Sequence, residues 1–286
     1  MIPIVTLLGR RITGTDAHGS VWTLRGEEGF WGSPEIRRTR HQRSQQDGAH
    51  PSTSVLAERG VVLEGTIRAV SNAGLLASRD DLVGLVAVRE GWIRWTDATG
   101  TTTQQVELDA GIRWRTHGDH VAEWQITYTA PDPARYTDDV ELTAVLQTVA
   151  RDGEGWQWPR QWPTDWHLPA ASSGQSSAVA VYNHGNTPWW PRLRIETTAA
   201  NPRVTCPETG DWIQINATIP AGQWIDIDAR ERTVRLNGVA SWKWCTTWHG
   251  TWLAVPPGVS TSLVFAAAGT DPDGRLTIIA KEGAWL

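Results

Sequence analysis

No run of about eighteen consecutive apolar residues occurs in the 286-residue chain, so it lacks the segment that a membrane-spanning helix requires. The opening Met1-Ile2-Pro3-Ile4-Val5-Thr6-Leu7-Leu8 has neither a basic region nor a small-residue cleavage site, and neither a membrane protein nor one secreted through a signal peptide is expected. Lysine is almost missing. Of 26 basic residues only Lys243 and Lys281 are lysine, a bias most simply ascribed to a GC-rich genome. Against 31 acidic residues the net charge is -5, without the excess of cations that phosphate binding draws on, so specific nucleic-acid binding is not expected. Cysteine is scarce too: Cys206 and Cys245 could pair only if the fold brought them together, and in so long a chain two thiols more often serve as small buried hydrophobes. There is no Gly-x-Ser-x-Gly elbow, no glycine loop that cradles phosphate ahead of a helix, and no activating motif around either thiol. The expectation is a protein that is not an enzyme and needs no cofactor.

What the chain does have is tryptophan, 19 residues against 3 tyrosines and 2 phenylalanines. Indole is large, flat and amphipathic, suited to interface centres and to gripping flat ligands. Most apolar runs are short, alternating and closed by turn residues, as at 20–24, 61–67, 92–95, 106–108 and 124–128, which is the period of half-buried strands. Thr96-Asp97-Ala98-Thr99-Gly100 has the chemistry of a hairpin turn. One short helix is predicted over 78–86, with Ser78 as cap, Asp80 and Asp81 at its positive end, and Leu82, Leu85 and Val86 on one face. The prolines of Ala130-Pro131-Asp132-Pro133 mark a boundary, giving domains 1–132 and 133–286. Beyond it, strands are expected over 140–149, 178–182, 193–196, 211–215, 224–228, 233–236, 260–265 and 276–280, a spacing that fits a sandwich or jelly roll. The fold class is therefore mainly β, with a β-rich first domain carrying one helix and a second domain built as a β-sandwich.

Several motifs in order and spacing carry a resemblance. Gly19-Ser20-Val21-Trp22-Thr23-Leu24, Gly29, Gln46-Asp47-Gly48, Arg59-Gly60-Val61-Val62-Leu63-Glu64-Gly65-Thr66-Ile67, Arg79-Asp80-Asp81-Leu82 and Ala130-Pro131-Asp132-Pro133 cover the first half. Asn183-His184-Gly185-Asn186-Thr187-Pro188, Ile219-Pro220-Ala221-Gly222-Gln223-Trp224, Arg232-Thr233-Val234-Arg235-Leu236-Asn237-Gly238 and Trp252-Leu253-Ala254-Val255-Pro256-Pro257-Gly258 cover the second. The set resembles the distal tail proteins, Dit-like tail-tip ring proteins of long-tailed, non-contractile bacteriophages (siphoviruses). The resemblance implies a virion structural protein of the tail tip or baseplate, made in the host cytoplasm. It implies a homo-hexameric ring whose first domains surround the DNA exit channel, and a galectin-like or carbohydrate-module-like second domain that projects outward. The implied partners are copies of the chain, the tail tube protein, the tail hub or tip protein, and receptor-binding proteins or host glycans. The alternative function is a carbohydrate- or receptor-binding module of the tail tip.

Candidate contact residues fall into two groups. Arg37, Arg38, Arg40 and Arg43 form a basic run in a polar loop that reads as a ring or tube contact, as a solvated loop, or as a touch on passing DNA. The segment 156–166, where Trp-Pro occurs twice, reads as an extended loop, and Trp156, Trp158, Trp162, Trp166, Trp189 and Trp190 are candidates for partner contact, glycan contact or packing. Trp242, Trp244, Trp248 and Trp252 sit at even intervals and are expected in the core. His117-Gly118-Asp119-His120 lacks the further ligands of a zinc site. Asp226 and Asp228, on one side of a strand, suit a turn and a solvated face better than a glycosidase pair. His18, His184 and His249 are expected at the surface or in turns.

Overall fold

The computed structural model describes residues 3–38, 41–43, 47, 49–50, 53–146, 177–269 and 271–286. The chain forms two compact units, Met1–Asp138 with Trp285–Leu286, and Asp139–Ala284. The first runs on past the Pro131–Pro133 turn because the short strand Arg135–Tyr136 pairs Tyr136 with Thr103 of the same sheet.

The first unit is built on an antiparallel sheet whose main path runs Arg10–Arg11, Ile4–Leu7, Glu90–Asp97, Gly100–Leu108, Val121–Ala130, Arg59–Arg68, Val21–Glu28, Gly14–Thr15. Its centre is the pairing of Arg59–Arg68 with Val121–Ala130, in register from Arg59 opposite Ala130 to Arg68 opposite Val121. Successive side chains on a strand alternate between faces, so Val61, Leu63 and Ile67 join Ala122, Trp124, Ile126 and Tyr128 in the core. Burying each large side chain contributes about 1.5–3 kcal/mol. Gly65 is required in this row: a Cβ there would lie 2.3 Å from the Thr23 carbonyl oxygen and 2.5 Å from the Trp124 ring. Trp22 packs on Trp124 at 5.8 Å between ring centroids and on Trp114 at 6.3 Å. The hairpin predicted at 96–100 is present, with Asp97 opposite Gly100.

The helix differs from the sequence expectation. It spans Asn72–Gly84, with a 3-10 turn Leu85–Ala87 after it, and its cap is Ser71, whose hydroxyl accepts the Gly74 N–H at 3.1 Å. Ser78 is a fully buried mid-helix residue that donates its one hydroxyl proton to the Asp16 carboxylate at 2.6 Å and lies within hydrogen-bond distance of the Ser20 hydroxyl at 2.9 Å. Asp80 and Asp81 accordingly stand away from the positive end; Asp81 instead pairs with Arg10 at 2.9 Å and His18 at 3.0 Å. The buried stripe is only Leu75, Ser78 and Leu82, so a polar residue occupies the place where the pattern should have shown its apolar face. Asp16 also accepts the Trp22 indole N–H at 2.8 Å and the backbone N–H groups of His18 and Ser20. Burial would raise its pKa, but these donors outweigh burial and hold the carboxyl below the usual carboxylate range.

The second unit consists of two antiparallel sheets. One is ordered Asp139–Val145, Arg275–Lys281, Arg192–Glu196, Ile225–Asp228, Thr233–Leu236, Ala240–Ser241; the other Ala178–Tyr182, Ser260–Ala268, Ala200–Thr205, Trp212–Ile215, Thr246–His249. Each buries one row of alternate residues, among them Leu193, Ile195, Ile225, Ile227, Leu276 and Ile278 in the first and Val204, Ile213, Ile215, Leu263 and Phe265 in the second. Cys206 and Cys245 are both buried and both free. Ala200–Thr205 escaped the sequence reading because Pro202 interrupts it; the ladder to Ser260–Ala268 shifts register between Ala200 and Arg203, a bulge that tolerates the missing donor. The expectation for the tryptophans near 242–252 is corrected: Trp252 is buried, whereas Trp244 is 79% and Trp248 45% exposed. A 3-10 turn at Lys243–Cys245 breaks the alternation that their even spacing suggested, and Trp248 lies on the edge strand Thr246–His249.

Candidate functional site

Between the strands Val21–Glu28 and Arg59–Arg68 the chain makes a two-stranded ribbon in which Ile36–Arg38 pairs with Ser54–Leu56, and His41–Gln42 with Ala49–His50. Arg37, Arg38 and Arg43 are exposed on it; Arg40 lies outside the described residues. Ile36, Val55 and Leu56 are exposed as well. A two-stranded ribbon is at best marginally stable without a surface to pack on, and here the basic run shares its ribbon with exposed apolar side chains.

The base of the ribbon is fixed by a residue that sequence reasoning missed. Arg59 is 1% exposed and donates from Nε to the Pro133 carbonyl at 2.9 Å, and from Nη1 to the carbonyls of Gly29 at 2.9 Å, Phe30 at 3.0 Å and Gly32. One guanidinium thus ties the segment leading into the ribbon, the strand leaving it and the Pro131–Pro133 turn. Beside it, Arg135 lies 5.3 Å from the Phe30 ring centroid and 4.4 Å from that of Trp31, a cation–π arrangement. Burial, then the charge of Arg59, brings the Arg135 pKa down to about 10, so it stays charged at neutral pH. The signal was present in the sequence: Arg59 occupies the inward register of Val61, Leu63 and Ile67.

In the second unit, Trp156, Trp158, Trp162 and Trp166 lie outside the described residues. Trp189 departs from its expected contact role. It is 1% exposed, and its backbone bridges to Val255 through bonds of 3.2 and 2.8 Å, so its indole faces are closed to a ligand. Trp190 is half-buried and donates its indole N–H to the Thr251 carbonyl at 3.1 Å. Asp226 accepts from Arg194 Nε at 2.8 Å and from Trp224 Nε1 at 2.9 Å, and Asp228 accepts the Glu231 N–H at 2.9 Å. His117 pairs with Glu123 at 3.0 Å. Among the described residues no three His, Cys, Asp or Glu side chains are grouped so as to hold a metal ion.

Residues 184–275 match the family model of the siphovirus-type tail component, C-terminal domain. The fold of the whole chain superposes on the crystal structure of the Dit protein (gp 19.1) of phage SPP1, covering 100% of both chains with a TM-score of 0.63 at 11% sequence identity. The fold of the chain is Dit-like. The SPP1 protein is described as a paradigm of the hub adsorption apparatus in phages infecting Gram-positive bacteria. A chain of the phage P2 baseplate in its activated conformation with Ca covers 99% of the Dit-like chain and is itself covered over 100%, with a TM-score of 0.49 and 10% identity. None of the curated proteins matches the sequence. In the Dit-like chain the family match spans the second unit from Arg192–Glu196 through Ser260–Ala268, whereas the ribbon and Arg59 belong to the part reached by the structural likeness alone.

Proposed function

We propose that this chain is the distal tail ring subunit of a siphovirus, a structural protein that joins the tail tube to the tail tip and surrounds the DNA exit channel, and that it is not an enzyme. The observation that carries the reading is the full-length correspondence with the Dit fold, together with the tail-component match of the second unit. In this reading the first unit builds a homo-hexameric ring and the second faces outward, toward receptor-binding components. Tail tube protein and tail hub protein adjoin the ring on its two sides. A ring closes through heterologous contacts, in which one patch of a subunit meets a different patch of the next. The ribbon carrying Arg37, Arg38 and Arg43 with Ile36, Val55 and Leu56 supplies such a patch.

The place of action is the virion. Gold-labelled antibody against this chain, applied to intact particles of the phage that encodes it, is expected to mark the tail tip. Labelling confined to the head or spread along the tail shaft would overturn the assignment.

A further inference from the structure

One edge of the second unit is crossed by a tryptophan-rich segment. Ala240–Ser241 ends one sheet and Thr246–His249 ends the other, and the 3-10 turn Lys243–Cys245 carries the chain from the first edge to the second. The crossing is firmly held. Trp242 donates its backbone N–H to the Val234 carbonyl at 2.9 Å, the Trp242 carbonyl accepts the Thr246 hydroxyl at 2.9 Å, and the Cys245 carbonyl accepts the Asn216 N–H at 2.7 Å. Cys245 is buried by this turn, and its neighbour Trp244 is left as the most exposed tryptophan among the described residues. Val239, in the turn between Thr233–Leu236 and Ala240–Ser241, is 85% exposed. A fixed turn thus keeps an indole in water, from which removal of apolar surface is favourable.

The segment carries charge of one sign. Between Glu231 and Asp271 the sequence holds no aspartate or glutamate, whereas Arg232, Arg235 and Lys243 are cations, in a chain whose net charge is -5. Two carboxylates from elsewhere in the unit adjoin the segment, and both are engaged. Asp226, beside Gly238, pairs with Arg194 at 2.8 Å, and Asp211, buried beside Gly250, accepts the Thr251 N–H at 3.0 Å and the Thr251 hydroxyl at 2.6 Å. Lys243, one of the chain's two lysines, is exposed and has no carboxylate partner among the described residues. Its Nζ lies 5.9 Å from the ring centroid of Trp248 and 5.7 Å from that of Trp252. The rings attract the ammonium, and its donors stay available to an anion.

Outward tryptophan beside an unpaired cation matches the surface of a bilayer. Tryptophan is enriched at the membrane–water boundary because its ring is apolar and its N–H still finds a polar partner there, and a lysine beside it is drawn to anionic headgroups. That no helix among the described residues is long and apolar enough to cross a membrane bears on spanning, and docking at the surface needs no such helix. A protein partner is the poorer match. Stable protein interfaces cover about 800 Å² on each side and are anchored by side chains that fill pockets, whereas Val239 and Trp244 stand on two turns and need no matching shape to enter a fluid layer.

We propose that this edge docks on an anionic lipid surface, with Trp244 and Val239 entering the boundary between headgroups and acyl chains and Lys243 facing the lipid phosphates. The inference goes beyond the structural role and does not depend on it: a ring subunit that ignores lipid would still be a ring subunit. The test sediments the full-length chain with vesicles of phosphatidylcholine alone and with vesicles of phosphatidylcholine mixed with phosphatidylglycerol. Preferential sedimentation with the mixed vesicles is expected. Trp244→Ala should weaken that binding at least about tenfold and Lys243→Glu at least about fivefold, while Trp92→Ala, at an exposed tryptophan of the first unit, should leave it unchanged. Trp244 and Lys243 are exposed, so the melting temperature should hold; if Trp244→Ala alone lowers it, Lys243→Glu decides. No sedimentation with the mixed vesicles, equal sedimentation with both kinds, or binding unchanged in the deciding variants would each overturn the proposal. Self-association that Trp244→Ala removes, in a chain that binds neither kind of vesicle, would overturn it too and mark the edge as a contact between copies.

Discussion

Arg59→Met is expected to lower the melting temperature of the chain's first unit by about 10 °C or more, which corresponds to at least ~3 kcal/mol for a domain of this size. The estimate follows from what the side chain does. This one guanidinium donates to four backbone carbonyls, those of Pro133, Gly29, Phe30 and Gly32, of which only that of Pro133 has a second side-chain donor, Gln104 Nε2 at 3.4 Å, among the described residues. Methionine fills a similar volume and supplies no donor, and a buried acceptor left alone costs about 1–3 kcal/mol. Relief from desolvating a charge returns part of that loss, which is why the expectation is one or two unsatisfied carbonyls rather than four. Lysine should not rescue, since a point ammonium cannot reproduce a planar fork that reaches separate segments. Hydrogen exchange locates the effect: Val21–Glu28 and Arg59–Arg68 should exchange faster, and Arg192–Glu196 as before. A wild-type melting temperature in Arg59→Met would show that the anchor carries no stability.

The second large effect is expected from reversing charge on the ribbon. Arg37→Glu, Arg38→Glu and Arg43→Glu together should abolish self-association and reduce the yield of infectious phage below detection. All three side chains are exposed in the isolated chain, so the fold should survive, as circular dichroism would verify. In an assembled ring every interface would carry the same reversal. Unfavourable charge juxtaposition costs several kcal/mol at a contact, and in a closed ring that cost recurs at each one. Normal tails from phage carrying the triple variant would remove the ribbon from the interface. Loss of the fold is excluded by the spectrum, and in that way the variant separates assembly from stability.

Much of this architecture is legible from spacing alone. The strands Arg59–Arg68 and Val121–Ala130 announce themselves because nearly every second residue is large and apolar, and the turn at 96–100 because Asp97, Thr99 and Gly100 are turn formers. Misreadings came where a local rule was overridden from a distance. Ser78 resembles a cap when only its neighbours are considered, yet Asp16 and Ser20, far away in sequence, recruit its hydroxyl into the core. Trp189 resembles an exposed platform until its backbone is paired with Val255. Trp244 and Trp248 resemble core residues until a 3-10 turn breaks their alternation.

Asp226 shows the same division. It and Asp228 are readable as neighbours on one side of a strand, but Arg194, which pairs with Asp226, comes from a strand whose place in the sheet no periodicity specifies. Arg59 is the instructive intermediate case: its inward register is visible in the sequence, whereas its four carbonyl partners are not, because three precede it by about thirty residues and one follows it by more than seventy.

The central claim is that the chain closes into a ring, and the most direct measurement is the mass of the purified protein by light scattering, with negative-stain images of the same sample. The account predicts a hexamer with an open centre. A monomer at every concentration tested, or an open helical filament in place of a closed annulus, would contradict it.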